Sequence, residues 1–317
     1  MSWIPKRFRL LHLLVLAGWA VWLPGSAGAQ SIRVMSFNLW HGGDAGKQPL
    51  DQTVAVIRAA RADVVGLQET AGIAPDGQER PDNASILAQK LGWNYLDQGG
   101  RTGVLSRFPI VGTTPDKWGV ELEMPSGQRF QLFNAHLAHA PYQPYQLLRI
   151  PYADAPFLAT AEEAVRAARE ARGEQVTRML AEVKAARARA GAIFLTGDFN
   201  EPSHLDWTPA VFEAHLCPAS VAWPSTRAVV EAGFVDGYRA VHPDPVADRG
   251  ITWTPTTRAD DPKDRHDRID FVFAMGAKPI TAEVLGESRE AADLVVTPYP
   301  SDHRAVVVEF ELPKAGD

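Results

Sequence analysis

The chain has 317 residues, 45% of them apolar and 22% charged, with a formal net charge of −6 at neutral pH. That length suits one large domain or two small ones with ample material for a buried core, and the acidic balance argues against tight, sequence-independent binding to a phosphate backbone. Cys217 is the single cysteine, so no intramolecular disulfide can form.

The chain opens with a leader pattern. Lys6, Arg7 and Arg9 precede an apolar run from Leu10 to Leu23, broken only by His12 and Gly18, and Ala27-Gly28-Ala29 offers small residues for cleavage. The run is short for a spanning helix. Residues 1–29 are therefore expected to be a signal peptide cut after Ala29, the alternative being an uncleaved anchor with Trp19 and Trp22 at an interface. Residues 30–317 form the expected domain, exported to the periplasm or secreted, monomeric, and without a stable membrane anchor. Loss of the three basic leader residues takes the net charge to −9.

Strand-like and helical runs then alternate. Ile32–Phe37 is expected as a strand, Leu50–Ala60 as a helix with Asp51 near its start, Asp63–Gln68 as a β-branched strand ending at Glu69, and Ser85–Leu91 as a short helix. Strands follow near Asn94–Asp97, Gly103–Ser106 and Phe130–Leu137. The longest helix is expected from Ala161 to Arg189, with a Thr160/Glu163 capping box, Gly191 as its stop, and Val165, Val176, Met179, Leu180 and Val183 as its core-facing stripe. Ala192–Thr196 is a buried-type strand, Arg227–Gly233 a short helix, and Ile269–Ala274, Ala282–Leu285 and Ala305–Phe310 the remaining strands. Strands with helices inserted between them indicate packed sheets covered by helices.

Seven short motifs are spread along these elements, with Asn38, Glu69, His136 and Asp198 each closing an apolar run: Ser36-Phe37-Asn38, Leu67-Gln68-Glu69, Asn134-Ala135-His136-Leu137, Gly197-Asp198-Phe199-Asn200, Thr252-Trp253-Thr254, Arg268-Ile269-Asp270-Phe271 and Ser301-Asp302-His303-Arg304. The two-residue spacing of Asp198 and Asn200 at a strand end points both polar groups the same way and turns Phe199 into the core. In this order the set resembles the endonuclease/exonuclease/phosphatase superfamily, over nearly all of the chain after its leader. The resemblance implies an α/β fold, a four-layered α-β-β-α sandwich of two packed mixed sheets flanked by helices, with the reacting groups on one rim.

It also implies roles. Phosphate-ester hydrolysis needs charge neutralisation, an aligned water and a proton for the leaving oxygen, and a hard divalent ion on oxygen ligands supplies the first and aids the second. By resemblance Asn38, Glu69 and Asp302 hold the metal, with Mg²⁺ the default and Mn²⁺ or Ca²⁺ compatible. Asp198 orients or deprotonates the attacking water, Asn200 holds a phosphate oxygen, and His303 contacts phosphate or serves as base with Asp270 bonded to its ring. His136 is the proton donor or a phosphate contact, and which histidine is acid stays open. Asn134 either supports His136 or finishes its strand, and Trp253 is expected to pack near the site.

Two segments go beyond the motif set. The Pro- and Tyr-rich stretch 138–156, with Tyr142 and Tyr145, is expected to form a substrate-facing wall or lid, or else a stiffened surface loop. Glu201 to Thr208 follows the Asp198/Asn200 pair directly, and its His204, Asp206 and Trp207 either read a polar substrate group or cap a helix and fill the core. Arg101 can contact phosphate through its fork, and Lys263 to Arg268 reads as a solvated charge run. The expected activity is metal-dependent hydrolysis of a small-molecule or lipid-derived phosphoester. The alternatives are an exported nuclease, which lacks an evident basic–aromatic groove here, a sphingomyelinase or phospholipase C-like enzyme, and a non-catalytic binding module on the same fold.

Overall fold

The computed structural model describes Met1, residues 30–188 and residues 191–313; the expected leader otherwise lies outside the described residues, as do Arg189 and Ala190. Thirteen strands alternate with seven helices among them. The strands are β1 (Ser31–Asn38), β2 (Val64–Gln68), β3 (Asn94–Gly99), β4 (Thr102–Ser106), β5 (Ile110–Thr113), β6 (Gly119–Glu123), β7 (Arg129–His136), β8 (Ala192–Asp198), β9 (Val235–Asp236), β10 (Asp270–Met275), β11 (Lys278–Gly286), β12 (Leu294–Val295) and β13 (Ala305–Glu311). The helices are α1 (Leu50–Ala59), α2 (Asn83–Leu91), α3 (Gln143–Leu148), α4 (Ala161–Arg187), α5 (Pro209–Glu213), α6 (Pro224–Glu231) and α7 (Gly237–Val241). None of the described helices is long and apolar enough to cross a membrane.

Two mixed sheets stack face to face, one ordered β12-β11-β13-β1-β2-β4-β3 and the other β5-β6-β7-β8-β10-β9. Strand alternation makes this packing. On β1, Ile32 and Val34 point into the space between the sheets, where they meet Phe130, Phe194, Val272 and Phe310, while Met35 and Phe37 point outward under α1 and α2. On the far face of the second sheet, Ile193, Leu195, Phe271 and Phe273 lie under α4 and α6. The layers are therefore α-β-β-α, with apolar cores at each interface.

α4 begins with the expected capping box, Thr160 Oγ1 accepting from the Glu163 amide while the Glu163 side chain bonds back. Val176, Met179 and Val183 join the helix-on-sheet core with Leu180 beside them, whereas Val165 packs in a separate cluster with Trp207 and Trp223. A helix of 27 residues crosses two environments, so one stripe does not serve its whole length. The β5 and β6 strands and the short helices α3, α5 and α7 carry no strong periodicity in sequence. Tertiary pairing rather than local pattern builds them.

A polar latch joins the sheets beneath one rim. Asn134 Oδ1 accepts from Gln68 Nε2 at 2.7 Å and from Thr196 Oγ1 at 3.1 Å, and its Nδ2 donates to the Leu67 carbonyl at 2.9 Å. Asn134 thus ties β7 to β2 and β8. Gly66 makes room for it: a Cβ there would stand 1.9 Å from Thr196 Oγ1 and 2.5 Å from Asn134 Oδ1.

Candidate active site

Strand register delivers the reacting groups. Asp198 at the end of β8 sits opposite His136 of parallel β7 and opposite Asp270 of antiparallel β10. In the other sheet, Asn38 ends β1 beside Gln68 of parallel β2, so Glu69 emerges next to it. Ser301 closes the ring: its hydroxyl donates to the Asn38 carbonyl at 2.7 Å and accepts from the His303 amide at 3.1 Å. The Thr252-Trp253-Thr254 motif braces the same corner. Thr252 Oγ1 accepts from the Ile269 and Asp270 amides, both at 3.1 Å, and Thr254 Oγ1 donates to the Asp302 carbonyl at 2.7 Å.

All eight residues assigned by resemblance to catalysis or metal binding converge on this rim. Asp198, almost fully buried, accepts from Asn38 Nδ2 at 2.9 Å and from the Asn200 amide at 2.9 Å. Its Oδ2 lies 3.5 Å from His136 Nε2 and 3.7 Å from His303 Nε2. The other nitrogen of His303, Nδ1, is 2.9 Å from Asp270 Oδ2. Burial pushes the His303 imidazolium down, but Asp270, Asp198 and Asp302 outweigh it and raise the group to about 10. These carboxylates favour the protonated imidazole, whose Nε2 faces Asp198. Asn200, at φ +48°, donates its side-chain amide to the Leu137 carbonyl at 3.1 Å.

Glu69 and Asp302 differ in how they are held. Glu69, at φ +54°, takes the His41 amide on Oε2 at 2.9 Å. Burial pushes its carboxyl up, yet the His41 amide and the imidazoles of His136 and His303 outweigh this and keep it below its usual value. For Asp302 burial dominates and lifts the carboxyl to about 7, and its buried Oδ1 has no hydrogen-bond partner. An ionised carboxylate beside a desolvated one with an orphaned oxygen is costly without a cation between them. The donor set is all oxygen, which fits a hard divalent ion held by Glu69 and Asp302. Asn38 stands beside them with its Nδ2 toward Asp198 and, at 3.5 Å, toward Glu69, its Oδ1 being taken by the Trp40 amide. Asp198, Asp270 and His303 also present one donor atom each within 4.8 Å of one another. Within that trio His303 Nδ1 is already bonded to Asp270 Oδ2, which fixes the ring and leaves Nε2 toward Asp198.

Above the rim lies a cavity of ≈ 310 Å³ lined by His136, His303, Glu69, Asp302, Asp198 and Asn200, and walled by Trp40, Tyr142, Tyr145, Tyr152 and Trp253. The segment 138–158 supplies the tyrosines. Tyr142 and Tyr145 meet edge to face at 4.9 Å, as do Tyr145 and Tyr152 at 5.6 Å. Tyr142 donates its hydroxyl to Asp267 at 2.9 Å and Tyr145 donates to Asp264. Burial and then Asp267 hold the Tyr142 phenol well above its usual range, so it stays a donor. Trp253 packs on His303 with ring centroids 4.9 Å apart and also faces the cavity. Arg101, at φ +64°, reaches the cavity edge.

His204, Asp206 and Trp207 are not brought to this cavity. His204 Nδ1 lies 2.9 Å from Thr226 Oγ1, and Asp206 is clamped by Arg239 Nε at 2.6 Å and Arg268 Nε at 2.9 Å. Trp207 is buried against Trp223 at 5.1 Å and donates to Asp267 at 3.0 Å. The chain turns into the interior at Glu201-Pro202-Ser203, all buried, which carries the three residues away from the rim. The charge run 263–268 is likewise not solvated at its end. Asp267 and Arg268 are buried, and Arg268 forks onto Asp206 and Asp236 because a guanidinium inside the protein needs carboxylates on both sides.

Trp40, His41, His139 and Tyr152 line the cavity without belonging to any motif. The signal for the first two is local. Trp40, His41, Gly42 and Gly43 run through four consecutive positive φ angles of 55°, 52°, 67° and 90°, which swing His41 back over Glu69. Gly42 has no room for a side chain, since a Cβ would lie 2.8 Å from the Gly72 amide.

A two-sheet sandwich with strand-end carboxylates and a buried imidazole–carboxylate pair defines a class of hydrolases, nucleases and phosphatases among them, that depend on divalent metal. The endonuclease/exonuclease/phosphatase family model matches residues 35–303, and the chain belongs to that family. An uncharacterized protein of Caenorhabditis elegans is 26% identical over 323 residues, spanning 95% of this chain and 98% of its own. Among solved structures, a family member from Beutenbergia cavernae superposes with a TM-score of 0.55 at 23% identity, covering 89% of this chain and 72% of that one. A 3′ phosphatase from Neisseria bound to product DNA hairpin gives 0.53 at 18%, covering 88% and 99%. An AP endonuclease from Archaeoglobus fulgidus gives 0.53 at 15%, covering 89% and 100%. At these identities the structural likeness is one of fold.

Proposed function

We propose that the protein is an exported, divalent-metal-dependent hydrolase of a small or lipid-derived phosphoester, with Mg²⁺ as its metal and Mn²⁺ or Ca²⁺ as substitutes. The observation that carries the substrate class is the aromatic wall of Tyr142, Tyr145, Tyr152 and Trp253 standing directly over the reacting rim. It encloses a site of ligand size and offers apolar contact area to a compact substrate. Glu69 and Asp302 would hold the ion, which would supply charge neutralisation for the phosphate and activation of water.

The chain's own groups do the rest. Asp198, fixed by the Asn38 side chain and the Asn200 amide, accepts the hydrogen of the attacking water. His303 stays charged through Asp270 and turns Nε2–H to the equatorial phosphate oxygens, where negative charge grows. His136 stands on the other side of Asp198, placed to hand a proton to the leaving oxygen. Export rests on the leader pattern of residues 1–29, and N-terminal sequencing of protein recovered outside the cytoplasm tests cleavage after Ala29.

A nuclease is the second reading. The Neisseria phosphatase is bound to product DNA hairpin and the Archaeoglobus protein is named an AP endonuclease, and Arg101 at the cavity edge suits a strand phosphate. The deciding experiment incubates the purified protein with bis-p-nitrophenyl phosphate, p-nitrophenyl phosphate, sphingomyelin, inositol phosphates and single- and double-stranded DNA. Each is run with Mg²⁺, Mn²⁺, Ca²⁺ or EDTA, and phosphatase is added afterwards to reveal diester products. Metal-dependent cleavage favouring a small or lipid ester supports the first reading and faster cleavage of DNA the second. No cleavage under any metal would remove both.

A further inference from the structure

We propose that Arg172 is a positioning residue that couples the aromatic wall to the catalytic loop and thereby sets substrate binding, a role that rests on the hydrolase reading above. Arg172 lies on α4 with no exposed surface and makes no contact with the cavity. Its fork spans two segments. Nη1 donates to Gln143 Oε1 at 2.6 Å and Nη2 donates to the Pro141 carbonyl at 2.9 Å, so one guanidinium grips the residues on either side of Tyr142. Nη1 also stands 3.8 Å from Glu201 Oε2, and Glu201 follows Asn200 directly in the chain.

Both ends are anchored. Glu201 is fully buried and accepts from the Ser225 amide at 2.7 Å and its hydroxyl at 2.9 Å, which pins the loop after Asp198 to the start of α6. Gln143, also fully buried, returns its own amide to the Pro141 carbonyl at 2.9 Å. One turn further along α4, Gln175 Oε1 accepts from the Ala138 amide at 2.9 Å, holding the point where the wall leaves β7. If α4 needed only to pack here, an apolar side chain would fill the space more cheaply than a desolvated cation. The guanidinium instead fixes Tyr142, and through the Tyr142–Tyr145–Tyr152 edge-to-face series the whole wall, at a set height above Asp198 and Asn200.

The test is steady-state kinetics on bis-p-nitrophenyl phosphate, or on the small ester that the substrate panel selects, for Arg172→Lys, Gln143→Leu and Gln143→Glu. Lysine keeps a charge beside Glu201 but loses the fork. Arg172→Lys and Gln143→Leu should each raise KM about 10-fold with kcat within about 2-fold, since the wall binds and the rim reacts. Gln143→Glu restores an acceptor for Arg172 and should return KM toward the parent value. Should Arg172→Lys fail to fold, the Gln143 pair decides. Parent KM in Gln143→Leu, or a fall in kcat at constant KM, would overturn the coupling.

A parent protein inactive on every ester with every metal would sink the hydrolase reading, and amide hydrogen exchange would then judge the coupling. Faster exchange at residues 141–146 in Gln143→Leu, with β8 unchanged, supports it. Unchanged exchange in that segment overturns it.

Discussion

The rim and the wall of the cavity are built by opposite means. Every reacting group on the rim lies at or beside a strand end, Asn38, Glu69, His136, Asp198 and Asn200 where strands finish and Asp270, Asp302 and His303 where β10 and β13 start, and sheet register sets the positions: Asp198 is placed by its neighbours His136 and Asp270, Asn38 by β2. The wall has no ladder. Segment 138–158 holds one short helix and is kept in place by side chains reaching from elsewhere, Arg172 and Gln175 on α4 and Asp267 before β10. A register-built feature resists change because the strand would have to slip by two residues to preserve its facing. A feature held by side-chain bonds can be retuned one residue at a time. The family's chemistry therefore sits on the rim, and selectivity for a particular ester has room to vary on the wall.

That division orders the expected effects. The largest belongs to His303→Ala, which removes a rim imidazole whose protonated form is favoured by Asp270, Asp198 and Asp302; kcat should fall on the order of 10³-fold or more with the fold intact. Retained activity would dismiss the assignment of the rim. Next, Glu69→Gln should demand about 10- to 100-fold more Mg²⁺ for half-maximal activity, and an unchanged metal titration would take Glu69 off the ligand set. On the wall the effects shrink. Tyr152→Ala removes a half-exposed ring and should raise KM about 3- to 10-fold at nearly constant kcat, so a loss confined to kcat would place Tyr152 on the wrong side of the division. The smallest is His204→Ala, a residue bonded to Thr226 away from the cavity, where kcat/KM should stay within about 2-fold.

Legibility in the sequence follows the same line. Asn38, Glu69, His136 and Asp198 could be placed because each closes an apolar run, and strand ends announce themselves locally, while His303 is legible through the Ser301-Asp302-His303-Arg304 motif ahead of its strand. The α-β-β-α layering follows from those runs and the resemblance they carry. For His204, Asp206 and Trp207 the sequence leaves substrate contact and core filling equally open, because nearness to Asn200 along the chain does not fix nearness in space, and Glu201 turns the chain into the core. The burial of Asp267 and Arg268 is invisible in sequence because their partners Tyr142, Trp207, Asp206 and Asp236 lie 32 or more residues away. Arg172, in the middle of an Arg- and Glu-rich helix, looks in sequence like its solvated neighbours. Only the fold distinguishes it.

The latch of Gly66, Asn134 and Thr196 lies beneath the rim, at the point where the two sheets come into polar contact. Asn38, Glu69 and Asp302 ride on one sheet, and His136, Asp198 and Asp270 on the other. Warming should therefore show two stages of failure. The wall, with no ladder to hold it, loosens first and weakens substrate capture while turnover at saturation persists. Turnover itself should survive until the sandwich parts, so that catalysis and tertiary structure share one melting curve.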